Sequence, residues 1–320
     1  MLTKEKISPF ARDTLKGLTA KNKYLLPKYF YDQKGSRIFQ QIMRMPEYYP
    51  TDCEMEIFSQ QGTIIAKSIV PAQGHFEMIE LGSGDGLKTK LLLKSLMKMH
   101  LSFTYTPVDI SPHALDELGS DLEKQFPGIN IKKKAGDFFP IMKDLSAQNG
   151  TPKVLLFLGS NIGNFMSEER DVFLKLLSAM TSPGDKVLIG FDQKKSPEII
   201  SGAYDDPAGH TRAFNLNHLQ RINHELDANF NLSQFYHHTS YNPITGAMKS
   251  YLLSKIEQTV TLGALNEKIF FGKWEPIFME LSQKFNYDDI HLLAREYGFK
   301  VSRNFTDDKN YFTDSLWIKT

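Results

Sequence analysis

The chain has 320 residues, 41% of them hydrophobic and 23% charged, the balance of a chain that folds around an apolar core. Its 38 basic and 37 acidic residues leave a net charge of +1, which excludes the long-range pull that nucleic acids and anionic membranes exert on strongly basic proteins. Cys53 is the only cysteine, so an intramolecular disulfide is impossible and a thiolate zinc site is not expected.

Taken in chain order, residues 1–60 read as helical and rich in tyrosine. From Thr63 to Asp192, short apolar runs alternate with helical patterns. FEMIEL (76–81) reads as a strand, and KTKLLLKSLMKM (88–99) as an amphipathic helix with Leu91, Leu92, Leu96 and Met99 on one stripe. FTYTPVDI (103–110) reads as a second strand. In SPHALDELGSDLEKQF (111–126), Ser then Pro predict an N-cap and first helical residue. NIKKKAGDF (130–138) is a weak third strand and KVLLFLG (153–159) a buried one. SEERDVFLKLLSAM (167–180) predicts a helix capped by Ser167, with Arg170 at the capping-box position. SPGDKVLIGFD (182–192) predicts a turn and a fifth strand.

Beyond residue 195 the pattern changes. PEIISGAYDDPAG (197–209) reads as a Pro-containing turn, TRAFNLNHLQRINHELDANF (211–230) as a long helix, and KSYLLSKIEQTVTL (249–262) as strands. The C-terminal stretch reads as a helix and a hairpin that return to the first sheet. Strand–helix alternation with short loops predicts an α/β fold with a doubly wound, mostly parallel sheet. The expected division is a sheet domain at 61–195 and 286–320, with 1–60 and 196–285 forming a second, α+β domain.

The first strand runs into ELGSGDG, with Gly82, Gly84 and Gly86 alternating with Ser83 and Asp85. Glycines at a strand's carboxyl end let backbone approach a ligand closely. The spacing is neither the G-x-x-x-x-G-K-[ST] of a phosphate-binding loop nor the G-x-G-x-x-G of a dinucleotide fold. Preceded by Glu80, it resembles the first motif of Rossmann-like S-adenosylmethionine-dependent methyltransferases. That cofactor carries no phosphate, so its site needs acids and backbone groups. Asp109 ends the second strand, where a carboxylate can accept ribose hydroxyls or cap the following helix. Asp137 ends the third and can accept from an adenine amine, while Phe138 either covers the ring or packs in the core.

Further stretches carry a narrower resemblance: PKYFYDQKGSRIFQQIMRMPEYYPTDCE (27–54), ELGSGDGLKTKLLL (80–93), PVDIS (107–111), GDF (136–138), FLGSNIGNF (157–165), YDDPAGHTRAFNLNHLQRINHEL (204–226) and MELSQKF (279–285). In that order, and over most of the chain, they are similar to the histidine-specific Nα-methyltransferases of ergothioneine biosynthesis. The combination F-Y-D-x-x-G-S with P-E-Y-Y-P-T is the most specific part. The resemblance implies a class I methyltransferase domain with a split substrate domain, S-adenosyl-L-methionine as cofactor, and trimethylation of the α-amine of free L-histidine to hercynine. It implies that Gly82, Lys88, Asp109, Asp137 and Phe138 line the cofactor site, with Gly84 and Gly86 in the same turn. Tyr31 would lie close to both the cofactor and the substrate amine, as the expected catalytic residue. Tyr48, Asn164 and Tyr204 would hold the α-carboxylate or amine, and Glu280 and Ser282 the imidazole.

Each of these residues also has a plainer reading. Tyr48 and Tyr49 could be packing aromatics, Asn164 an asparagine in a left-handed turn, and Glu280 a solvated acid on a strand. The chain departs from the resemblance at Asn161, where Thr is expected, and at Ser250-Tyr251, where a Met-Arg pair is expected beside the side-chain pocket. The latter leaves open the same chemistry on another amino acid or amine. A nicotinamide oxidoreductase and a non-catalytic S-adenosylmethionine-binding protein are the readings from other classes. The expected partner is a small amino acid, with no metal, nucleic acid or membrane, and monomer and oligomer are both left open. Lys132 to Lys134 reads as a solvated strand edge. MLTKEKISPF has no apolar core of a signal peptide, and with the lone cysteine this predicts a cytoplasmic protein.

Overall fold

The structure, a computed structural model, describes residues 7–72, 74–146 and 150–320. The first six residues of the expected helical N-terminal segment lie outside them. In chain order the elements are α1 (Pro9–Leu18), α2 (Gln33–Ile42), α3 (Tyr49–Ile69), β1 (Phe76–Leu81), α4 (Leu87–Lys98), β2 (Phe103–Asp109), α5 (Pro112–Gln125), β3 (Asn130–Ile131), β4 (Lys134–Ala135), α6 (Phe138–Ser146), β5 (Lys153–Phe157), α7 (Ser167–Ala179), β6 (Lys186–Asp192), α8 (Pro197–Tyr204), α9 (His210–Glu225), β7 (Phe235–Asn242), β8 (Ala247–Ser254), β9 (Gln258–Leu262), β10 (Glu267–Phe271), β11 (Pro276–Gln283), α10 (Tyr287–Glu296), β12 (Phe299–Thr306) and β13 (Phe312–Lys319). No helix of the described residues is long and apolar enough to cross a membrane. The chain divides into a first unit, residues 1–49 and 195–282, and a second, residues 50–194 and 283–320. The N-terminal boundary thus falls after Tyr49 rather than after residue 60.

The second unit is built on one sheet of order β12-β13-β6-β5-β1-β2-β3, with β4 also paired to β2. The pairs β1–β2, β1–β5, β5–β6 and β2–β3 are parallel. The C-terminal hairpin β12–β13 closes the edge, β13 running antiparallel to β6. Strands β1, β2 and β5 are buried nearly throughout, as expected of strands covered on both faces. One apolar core gathers Ile79, Leu155, Phe157, Phe173 and Trp317 among others.

Local chemistry fixes the element ends. Ser111 caps α5 as expected, its Oγ accepting from Ala114 N at 3.2 Å, with Pro112 at the first position. Three expectations are corrected. The third strand is two short bridges, β3 and β4, because Lys132 and Lys133 between them are exposed and leave no apolar face to bury. Its expected last residue, Phe138, instead opens α6, where Asp137 Oδ1 accepts from Phe139 N at 2.9 Å. Helix α7 is capped one residue early: Glu169 accepts from Met166 N at 3.2 Å, so Glu169, not Arg170, takes the box position.

The first unit packs α1, α2 and α9 around Phe10, Phe30, Phe214, Leu219 and Ile222, together with Leu252, Ile277 and Met279 from its strands. Strands β11-β8-β7 form one sheet and β10-β9 another. The motif F-Y-D-x-x-G-S has a physical basis here. Asp32 caps α2, its Oδ1 accepting from Gly35 N at 2.6 Å and from Asn217 Nδ2 of α9 at 2.9 Å. A Cβ on Gly35 would stand 1.8 Å from Phe30 O. The expected turn over 197–209 is corrected: Pro197 starts the helix α8, and only the part after Tyr204 turns. There Asp206 accepts from His210 N and Thr211 N, both at 2.8 Å, and so starts α9. On β7, His237 is buried and His238 exposed, so the adjacent pair splits across the sheet.

Candidate active site

In the second unit, strand order reverses at β1: β2 and β3 lie to one side, β5 and β6 to the other. The crevice at the carboxyl ends of β1 and β5 is therefore the topological switch point, where open α/β sheets take ligands. Gly82, Gly84 and Gly86 follow β1 with φ of +74°, +52° and +64°, a region that costs glycine little and other residues more. A Cβ on Gly84 would meet nothing within 4 Å, so open space adjoins that backbone. Gly84 N donates to Asp109 Oδ2 at 2.9 Å, and Ser111 N to Asp109 Oδ1 at 2.9 Å. Asp109 is half-buried at the end of β2. It both caps toward α5 and braces the glycine turn, and each oxygen keeps a further lone pair for a ligand.

On the β5 side, Gly159 has φ of +74°. Asn161 Nδ2 would lie 3.5 Å from a Cβ at Gly159 and 3.6 Å from one at Gly82, so one amide sits over both strand ends. Lys88, in the first turn of α4, is ion-paired to Glu54 of α3. Glu54 is fully buried and also accepts from Gly159 N at 2.8 and 3.1 Å through its two oxygens. Burial alone would lower the Lys88 ammonium's pKa, but the Glu54 charge and hydrogen bond raise it above the usual lysine value. Glu80, at the end of β1, accepts from Thr89 Oγ1 at 2.6 Å and from Tyr105 OH. Burial pushes its carboxyl up to about 7.

The remaining expected residues of this unit lie nearby in sequence order. Asp137 is exposed at the start of α6. Phe138 is half-buried and packs against Phe157, Phe165 and Phe173 with ring centroids 5.9 to 6.0 Å away, so its core role is real. Its partial exposure leaves part of the side chain open. Asn164 closes a single helical turn, Asn161–Asn164; the left-handed residue there is Ser160, with φ of +55°. A Cβ on Gly163 would stand 2.7 Å from Gln283 O, so Gly163 lets the Asn164 turn pack on that backbone.

In the first unit, Tyr31 precedes the α2 cap, is 43% exposed, and packs edge-on against Phe39 and Phe214 at 5.4 and 5.5 Å. The two adjacent tyrosines part company. Tyr49 is buried and its hydroxyl meets Lys195 Nζ at 2.9 Å, whereas Tyr48 is half-buried and its ring lies 6.5 Å from Tyr204. Tyr204 OH donates to Ser282 Oγ at 2.7 Å. Glu280 alternates on β11 with buried Met279 and Leu281 and is itself half-buried. Glu280 and Ser282 therefore share one face of β11. Tyr251 of β8 packs against Phe278, two residues before Glu280, at 5.7 Å.

Sequence reasoning missed Glu54, Asn161 as a bridging amide, and Asp314, an acid buried completely in β13 opposite Gly190. A signal existed for Glu54, an acid flanked by Cys53, Met55 and Ile57 on a helix.

The chain matches the family described as histidine-specific methyltransferase, SAM-dependent, over residues 10–319. It is 35% identical over 308 residues to a histidine N-alpha-methyltransferase of Mycolicibacterium smegmatis, covering 96% of this chain and 94% of that one. It is 34% identical to the protein of the same name from Mycobacterium tuberculosis, with the same coverage. A third relative, the 4-dimethylallyltryptophan N-methyltransferase easF of Claviceps purpurea, is 26% identical over 320 residues, covering 92% of this chain and 90% of that one.

Proposed function

The chain belongs to the histidine-specific, S-adenosylmethionine-dependent methyltransferase family, and from that premise we propose that it transfers methyl groups to the α-amine of free L-histidine until the trimethylated betaine, hercynine, is formed. It is an S-adenosylmethionine-dependent N-methyltransferase with a Rossmann-like, mostly parallel sheet and separate small sheets. The residues at the switch point fit that cofactor. They offer an open glycine turn, a carboxylate at the end of β2 and a lysine, with an acid where a phosphate would be repelled.

The bound cofactor supplies a methyl group already activated by a sulfonium. Asp109 would hold the ribose, Asp137 and Phe138 the adenine, and Lys88 with the Gly82–Gly86 turn the amino-acid end. Tyr31 would lie close to cofactor and amine, and orient the amine for in-line attack. Tyr48, Asn164 and Tyr204 would hold the α-carboxylate or amine. A hydroxyl and amide set suits this work because it adds no cation beside the sulfonium. A neutral amine carries its own lone pair, so these residues need to align it rather than act as strong bases. Tertiary amine remains nucleophilic after two transfers, and the quaternary product cannot react, so the sequence of transfers ends itself.

The observation that carries the choice of histidine is the Tyr204–Ser282 hydrogen bond at the end of β11, on the face that Glu280 shares. It fixes the Ser282 hydroxyl on the same strand face as the Glu280 carboxylate, a donor and acceptor set for the two ring nitrogens of an imidazole. Calorimetric titration onto protein saturated with S-adenosylhomocysteine tests this reading. Histidine should bind, while histamine, without the carboxylate, and leucine, without the ring, should bind far more weakly. Equal binding of leucine would overturn the histidine assignment.

One observation favours a second reading, the same chemistry on another amino acid. Tyr251 packs on Phe278 beside the Glu280 strand, where the family resemblance leads one to expect arginine. An aromatic wall there suits a larger apolar side chain.

A further inference from the structure

We propose that Glu54 is a positioning residue of the cofactor site, aligning the Lys88 ammonium with the Gly159 backbone N–H at the switch point. The inference rests on the reading of Lys88 as a cofactor-lining residue.

Three observations converge on Glu54. It is fully buried, pairs with Lys88 through Oε2, and takes the Gly159 N–H on both oxygens. Lys88 keeps 24% of its side chain exposed, against 1% for Glu54, so the counter-charge is the more deeply hidden of the two. The carboxylate also occupies a notch that only glycine leaves. A Cβ on Gly190 of β6 would stand 2.7 Å from Glu54 Oε1, and one on Gly159 would stand 3.3 Å from Lys88 Nζ.

Two further acids, Asp314 and Glu80, interact electrostatically with this pair. Asp314 is fully buried. Burial and then repulsion by Glu54 push its carboxyl well above the ordinary range. Glu80 sits near its own midpoint at neutral pH. Glu54 is the acid that pairs directly with Lys88, and a buried charge of this kind is stable only while its partner remains. The pairing holds a long, flexible lysine in one place before any ligand arrives. It also offsets the lysine's charge at a site that must accept a sulfonium cation.

The test is a double-mutant cycle on S-adenosylhomocysteine affinity, measured by calorimetry with Glu54→Gln, Lys88→Met and the double variant. Gln keeps an acceptor for the Gly159 N–H and removes only the charge. Glu54→Gln should weaken S-adenosylhomocysteine by about tenfold in the parent and by less than about twofold in the Lys88→Met background, in line with a lost charge-assisted contact. The KM for S-adenosylmethionine should rise with it, while the KM for the amino acid stays. Equal weakening in both backgrounds would show a merely structural role and overturn the proposal. No weakening by Glu54→Gln, with Lys88→Met still harmful, would overturn the proposal and leave the Lys88 reading standing. A silent Lys88→Met would overturn both. Glu54→Asp, which keeps the charge but draws it back by one methylene, runs through the same cycle with the same criteria, so the proposal remains testable if the Gln variant does not fold.

Discussion

The backbone N–H of Gly84 donates to Asp109 Oδ2 at 2.9 Å. This one hydrogen bond ties the glycine turn after β1 to the acid that ends β2. It couples the two features by which the sequence pointed to a nucleoside without phosphate. Asp109→Ala removes the proposed ribose acceptor and loosens the turn together. A hydrogen bond to a charged group contributes about 1.5–3 kcal/mol, so S-adenosylhomocysteine should bind roughly tenfold to a hundredfold more weakly, as read by calorimetry.

Glu280→Ala should do the opposite. It removes a carboxylate from β11 of the first unit, far in sequence from the glycine turn. Histidine affinity should fall by a similar factor of about ten to a hundred, with cofactor affinity unchanged. The reverse pattern across these two variants would exchange the two site assignments.

Glu80 makes the stability pH-dependent. Its carboxyl has an ordinary value near 4.5 in the unfolded chain and is pushed up to about 7 by burial in the fold. Between those values the folded state holds a proton that the unfolded state has lost, so stability falls as pH rises through the window. At 1.36 kcal/mol per pKa unit the loss is on the order of 3 kcal/mol. Denaturant titrations at pH values on either side of the window should show it in the parent, and Glu80→Gln should remove it. An unchanged slope in the variant would place the effect elsewhere.

His218 acts in the other direction. It is fully buried in α9 among Phe10, Tyr29 and Phe30, with no hydrogen-bond partner on either ring nitrogen. Burial, and then the charge of Arg221, lower it from 6.5 to about 3. Stability from the neutral ring is fully present above the unfolded value and is lost as pH falls through the window toward 3. At about pH 5 that loss is roughly 2 kcal/mol. His218→Phe keeps the volume and the aromatic contacts, and it should be more acid-resistant than the parent in thermal melts.

Much of this was legible in the sequence because it follows from short-range rules. The buried runs at 76–81 and 103–109, the Ser111-Pro112 helix start and the glycine turn all come from local pattern. The misread segments are those where a side chain competes locally with the apparent pattern. Asp137 starts a helix where a strand looked set to continue, and Pro197 opens a helix where it looked like a turn. The tyrosine pair at 48 and 49 could not be resolved from sequence, since only the fold buries one ring and lets its hydroxyl accept from Lys195 Nζ. Glu54 and Asp314 escaped for a stronger reason. They are far apart in sequence, and the fold brings them together around Gly190, the residue opposite Asp314 whose missing Cβ makes room for Glu54.

The most direct measurement is a mass-spectrometric methylation assay with S-adenosylmethionine and a panel of free amino acids, histidine and tryptophan among them. The account predicts that histidine alone gains methyl groups and that the reaction runs to the trimethylated product. Methylation of another amino acid with histidine untouched would contradict it.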